Sequence, residues 1–193
     1  MMRSLVFFLA GLGGAAVCGW LVFPKALYRA EAQPLEFNHK VHKEKAGSDC
    51  AGCHELGADG QFTGIPKLES CAMCHAEPQG STPAEKQLVE HYVKAQREIP
   101  WKVYSRQPDN VRFSHAVHTR LAGLKCESCH GDHGMSEHLP LFYGNRISGE
   151  SRNIWGPRMI RAGLRPGEGM KMADCESCHA ERGVAAGCLG CHR

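Results

Sequence analysis

Residues 113–130 read FSHAVHTRLAGLKCESCH, and this stretch decides how the rest of the chain is read. Two histidines, His115 and His118, stand three apart behind Phe113. Seven residues then intervene before Cys126-Glu-Ser-Cys129-His130. The same pattern occurs upstream as Phe37-Asn-His39-Lys-Val-His42 followed by Cys50-Ala-Gly-Cys53-His54, offset by 76 at every matching position. Each block brings together two thiols and three imidazoles. Positions i and i+3 share a face of a helical turn, so each histidine pair is expected to face one side.

Outward from these blocks, the chain of 193 residues holds 11 cysteines and 12 histidines. Ten of the cysteines form five C-x-x-C pairs: Cys50/Cys53, Cys71/Cys74, Cys126/Cys129, Cys175/Cys178 and Cys188/Cys191. A histidine follows each pair at once: His54, His75, His130, His179 and His192. C-x-x-C-H is the attachment signature of c-type haem. The two thiols add to the two vinyl groups of one porphyrin edge, and the next residue lies under the ring, where an imidazole can bind iron. The 17 residues between Cys53 and Cys71 also match zinc-ribbon spacing. A ribbon does not need a histidine after each pair, and a disulfide or thioredoxin-like site leaves the same histidines unexplained. Five covalently bound haem c groups are expected.

The five motif histidines supply proximal ligands. Seven histidines remain: His39, His42, His91, His115, His118, His133 and His138. The supply therefore exceeds what five bis-histidine irons need. His39, His42, His115 and His118 are the leading distal candidates, one of each pair closing the local haem and the other a neighbour. The fifth distal ligand is expected from His91, His133 or His138, with Met73, Met135, Met159, Met170 and Met172 as alternatives for one site; a methionine would raise that haem's potential. Closed iron leaves no position for a substrate, so this ligand supply implies electron transfer and argues against a reductase with an open iron.

Residues 5–23, LVFFLAGLGGAAVCGWLVF, are apolar and carry no charge. As a helix they extend about 28 Å, close to the hydrocarbon thickness of a bilayer. A secretory signal has a shorter apolar region of about 7 to 15 residues, so a retained single-pass anchor is expected over 1–29. Ala30-Glu31-Ala32 is the competing cleavage pattern. The three glycines Gly11, Gly13 and Gly14 could admit another helix closely. Attachment of c-type haem takes place outside the cytoplasm, which puts the haem region in the periplasm, on the inner membrane.

A second echo links Lys67-Leu-Glu-Ser-Cys71-Ala-Met-Cys74-His75-Ala-Glu77 to Lys171-Met-Ala-Asp-Cys175-Glu-Ser-Cys178-His179-Ala-Glu181, at an offset of 104. The chain thus divides into a first half, 30–100, with two haems, and a second half, 101–193, with three. Duplication of a haem-binding module accounts for this. In the first half a helix is expected over 82–99, with Thr82 as N-cap, Pro83 in its first turn and Glu85 completing a capping box. Its apolar stripe is Leu88, Val89, Tyr92 and Val93, and His91 adjoins it. The second half carries an insertion, 135–170, with Arg146, Arg152, Arg158, Arg161 and Arg165 around Trp155-Gly156-Pro157. A loop of that length without a cofactor is more often functional than idle, and a partner contact is expected there.

Aromatic content is 7% and the net charge is +3, which gives no electrostatic case for nucleic acid. The fold class is therefore mostly loop with short α-helices, plus one N-terminal transmembrane helix, with a core built by the haems.

The F-x-H-x-x-H…C-x-x-C-H block resembles the small class III multihaem cytochromes c. That resemblance implies that the first histidine of each pair closes the haem of its own block, His39 with His54 and His115 with His130, and the second closes another. The anchor, the five motifs and Pro100-Trp101…Pro108-Asp109…Phe113-Ser114-His115…Cys126-x-x-Cys129-His130-Gly131 resemble the multihaem subunits of membrane quinone-linked complexes. Two relatives share such a subunit, the menaquinone reductase complex of sulfate reducers and alternative complex III, which oxidises quinol. The resemblance implies an iron–sulfur subunit, a molybdopterin-family-like subunit and a polytopic quinone-site subunit as partners, with soluble periplasmic cytochrome c as a further redox partner. The spare histidines favour low-potential bis-histidine haems and so the menaquinone reductase side. A stand-alone quinol dehydrogenase is the remaining alternative.

Overall fold

The apolar N-terminus forms one nearly continuous helix. Helix α1 (Met2–Val17) passes through a π-helical stretch, Cys18–Val22, into α2 (Phe23–Leu27). Among the described residues nothing covers it: over Arg3–Val22 no residue is buried. Phe7 is 76% exposed and Trp20 68%. An exposed apolar helix of this length is a candidate membrane span. The structure, a computed structural model, describes residues 2–58, 60–62, 64–104, 109–151, 170–185 and 187–192.

Beyond α2 the chain follows the expected class, short helices joined by loops. Strand β1 (Tyr28–Glu31) leaves the anchor at once and pairs antiparallel with β2 (Phe142–Asn145), with Tyr28 opposite Asn145 and Glu31 opposite Phe142. This small sheet was not expected from the sequence. Its strands lie more than a hundred residues apart, and β2 belongs to the arginine-rich insertion. The described part of that insertion therefore packs on the chain's own membrane connector. Arg152, Arg158, Arg161, Arg165 and Trp155-Gly156-Pro157 lie outside the described residues.

Helix α3 (His39–Lys45) carries the first histidine pair, and α4 (Leu68–His75) carries the second haem motif. Helix α5 (Pro83–Gln87) continues as a π-helical run, Leu88–Val93. Together they are shorter than the 82–99 expected. Gln96 adopts φ 49°, a left-handed conformation that breaks the helix before Pro100. Leu35, Leu68, Leu88, Tyr92 and Ile99 form a small apolar core, with Cys71, Ala84 and Trp101 against it. Residue Leu35 comes from the connector and Trp101 from the start of the second half, so connector, second motif and midpoint of the chain meet here. Gln33 ties the same junction by exchanging two 3.0 Å hydrogen bonds with the backbone of Lys102. The second half holds a π-helical run, Val117–Leu121, then α6 (Glu127–His130), α7 (Met172–Glu181) and α8 (Cys188–Cys191).

Candidate functional site

Each of the five C-x-x-C-H motifs lies on a short helical turn, 3-10 at Cys50–Gly52 and α-helical in the other four. In each, a single helical turn aligns the two thiols and sets the histidine one turn above the first cysteine. The His54, His130 and His192 amides donate to the carbonyls of Cys50, Cys126 and Cys188 at 2.8, 3.0 and 2.8 Å. His75 and His179 occupy the corresponding places within α4 and α7. All ten motif cysteines are free of disulfides.

The histidine pairs are built identically in the two halves. Asn38 caps α3 by accepting from the Val41 amide at 2.9 Å, and Ser114 accepts from the Val117 amide at 3.3 Å. Phe37 stacks on His42 at 4.3 Å and meets His39 edge-on at 4.7 Å. Phe113 does the same with His118 at 4.6 Å and His115 at 4.8 Å. The aromatic residue thus orients both imidazoles of its pair.

Hydrogen bonds set the tautomers. His42 Nδ1 lies 2.8 Å from the Asn38 carbonyl oxygen, and His118 Nδ1 lies 2.8 Å from that of Ser114. A carbonyl can only accept, so Nδ1 carries the hydrogen and Nε2 keeps its lone pair for a metal. His39 Nδ1 meets Ser136 Oγ at 3.1 Å, and that hydroxyl already donates to the His133 carbonyl at 2.7 Å. Ser136 must therefore accept from His39, with the same outcome. Burial pushes His39 down to about 4, helped by the neighbouring His54, His133 and His42, and burial also lowers His54, His115 and His130. Imidazoles held neutral are imidazoles ready to ligate.

The decisive arrangement is between motifs. Two imidazoles that bind one iron from opposite sides, each nitrogen about 2 Å from the metal, have ring centroids roughly 6 Å apart. His115 and His130 stand 6.4 Å apart with rings 5° from parallel. His118 and His179 stand 6.1 Å apart at 13°, and His42 and His75 stand 6.1 Å apart at 53°. These residues fit a haem iron between each pair. His54 is the foremost charged neighbour of His39. The first histidine of each pair faces its own block, and the second reaches the second motif of its half. The 28 additional residues between the motifs of the second half leave this wiring unchanged.

Thiol neighbours give the order of the motifs in space. Burial is the first cause that raises the Cys50, Cys71, Cys129 and Cys175 thiols. Adjoining motifs add to it: Cys126 beside Cys50, Cys53 beside Cys71, Cys178 beside Cys129, and Cys191 near Cys175. The second motif therefore adjoins the first, the first the third, the third the fourth, and the fourth the fifth. Phe62 lies between the first and third, 6.0 Å from His54 and 5.2 Å from His115.

The remaining candidates are not brought to the fifth motif. His91 is exposed on the Leu88–Val93 run, and His138 is exposed with its Nδ1 3.1 Å from Glu36. His133 lies beside His39 and His130. Among the described residues no imidazole stacks opposite His192, whose backbone bridges to Val111. The sequence reading missed Phe62, Ser136 and the second use of Glu85. The Glu85 amide does donate to Thr82 Oγ1 at 3.2 Å, but its carboxylate accepts from His75 Nδ1 at 2.9 Å and from the Gln79 amide at 2.5 Å. The reciprocal half of the expected capping box is thus replaced by a contact to a motif histidine. No short-range pattern distinguishes the two uses.

Comparison with known proteins agrees with this chemistry. The family model of the class III cytochrome c family matches residues 22–102. The menaquinone reductase multihaem cytochrome c subunit of Nitratidesulfovibrio vulgaris Hildenborough is 40% identical over 202 aligned residues, covering 96% of this chain and 89% of that protein. The chain therefore belongs to the family of class III-type multihaem cytochromes c that includes this menaquinone reductase subunit, and it is built to carry covalently bound haem c.

Proposed function

We propose that this chain holds five haem c groups and relays electrons between periplasmic redox partners and membrane quinone, as a subunit of a menaquinone reductase-type complex. The observation that carries this reading is the set of three imidazole pairs 6.1 to 6.4 Å apart, each joining different elements of the chain. Cys50/Cys53, Cys71/Cys74, Cys126/Cys129, Cys175/Cys178 and Cys188/Cys191 attach the groups, and His54, His75, His130, His179 and His192 are proximal ligands. His115 and His39 close the third and first sites, and His118 and His42 close the fourth and second. Haem c, when bound, supplies a one-electron iron couple.

The chain's own residues do the rest. At the first four sites they would supply both imidazole ligands and so leave iron no position for a substrate, and they set neighbouring motifs side by side from second to fifth. Leu35 and the Gln87 side chain, which donates to the Pro34 carbonyl at 3.0 Å, bind the connector to the second motif's lobe. That end of the series is thus tied to the anchor. An iron–sulfur subunit, a molybdopterin-family-like subunit and a polytopic quinone-site subunit complete the complex in this reading, with a soluble cytochrome c as donor.

Purification in mild detergent tests it. The expected product is a complex containing this chain with five haems, the four that meet a second imidazole low-spin in the oxidised state, and with potentials low enough to reduce menaquinone. A chain that emerges alone, or potentials lying well above that of menaquinone, would overturn the assignment.

A further inference from the structure

The two halves duplicate the wiring of the second and fourth sites, which makes a local difference between them informative. At both sites the distal histidine, His42 or His118, donates Nδ1–H to a neutral backbone carbonyl. The proximal histidines differ. His75 donates its Nδ1–H to the Glu85 carboxylate at 2.9 Å, with the two side chains only 19% and 13% exposed. At the offset of 104 that relates the copies, the position of Glu85 is held by Leu189. Among the described residues no carboxylate lies against the ring of His179.

We propose that Glu85 is a positioning residue that makes the second site lower in potential than its duplicate, the fourth. The inference rests on the ligand set proposed above. A carboxylate on Nδ1 draws the imidazole proton toward itself and raises the basicity of Nε2. A more basic axial nitrogen favours ferric over ferrous iron, and hydrogen bonding to the axial ligands is one of the levers by which a protein sets a haem's potential. Limited exposure keeps solvent from screening the charge. Glu85 is itself held in place: its amide is capped by Thr82, and the Oε1 that meets His75 also takes the Gln79 amide. The acid therefore has a fixed position against the ring. It breaks the equivalence of two sites that duplication would otherwise leave alike.

The test is a redox titration of the full-length holoprotein carrying Glu85→Gln. Glutamine keeps the accepting Oε1 for both His75 and Gln79 and removes only the charge. One of the component potentials should rise, by about tenfold in the ratio of oxidised to reduced protein at fixed potential, equivalent to about 59 mV for one electron. An unchanged titration, or a downward shift, overturns the inference. Gln87→Ala is the control for fold: it removes the bond from the same helix to the Pro34 carbonyl and leaves Glu85 and its partners untouched, so it should lower Tm without moving any potential. A potential shift in Gln87→Ala equal to that in Glu85→Gln would assign the effect to structure and overturn the inference as well. His75→Ala tests the underlying ligand set separately. If it leaves the low-spin spectrum unchanged, the ligand reading fails; if it disturbs one site and Glu85→Gln shifts nothing, only the role of Glu85 fails.

Discussion

At the scale of single residues, the paired histidines carry the design. Each pair divides its labour because two rings on one turn point to one side yet stand at different heights, so they reach different motifs. His118→Ala should therefore perturb the haem held by Cys175 and Cys178 and leave the one held by Cys126 and Cys129 low-spin. His42→Ala should do the same to the haem of Cys71 and Cys74. Site-resolved spectra, from NMR or from variants lacking one motif, read the outcome; loss confined to the haem of the mutated block would contradict the wiring. Acid should act on the same residues. His39 has a folded pKa of about 4 against an ordinary 6.5. The unfolded chain thus binds more protons between those values, and stability present at neutral pH is lost as pH falls from 6.5 through about 4. Iron on Nε2 competes with the proton and moves the loss lower still. The low-spin spectrum should persist at pH 6 and fail no earlier than about pH 4, as an acid titration followed by visible absorption would show.

At the scale of elements, short helices are held by caps and close approaches more than by length, since a helix of a few turns is marginal alone. Asn38→Ala removes the cap of α3 and should cost about 1 kcal/mol by thermal unfolding. The carbonyl that orients His42 is backbone, so the haem spectrum should be retained. Gly60 illustrates the second device. Its φ is +75°, and a Cβ there would stand 2.9 Å from the Cβ of Ala116, beside His115. Gly60→Ala should therefore lower stability by about 1 to 3 kcal/mol, through left-handed strain and overpacking together. A neutral result in a denaturation midpoint would mean that the loop from the first half does not press on the second pair.

At the scale of the whole molecule, the N-terminal helix runs directly into β1, whose partner β2 comes from the second half. Cleavage at Ala30-Glu31-Ala32 would remove all of β1 and strip β2 of its partner. The isolated protein should accordingly begin within its first few residues by N-terminal sequencing and stay in the membrane pellet after a carbonate wash. Deletion of residues 2–27 should release it into the soluble fraction. A mature chain starting near Gln33 would refute the retained anchor.

What could be read along the chain was what depends on near neighbours. C-x-x-C-H is complete within one helical turn, a helical anchor is defined by its own apolar length, and the duplication appears as repeated spacing. Thr82 as a cap was legible for the same reason. Folding at a distance decided the rest. The meetings of His118 with His179 and of His42 with His75 span 61 and 33 residues, and no local pattern encodes them. The sheet between β1 and β2 depends on backbone hydrogen bonds that either strand could have made elsewhere. Glu85 had the sequence of a capping residue, yet the turn that brings α5 against α4 gave its carboxylate a buried imidazole to accept from. Residue chemistry determined that the chain carries haem; tertiary packing decided which histidine meets which motif, because ligation requires two groups within a few ångströms and only the fold brings them there.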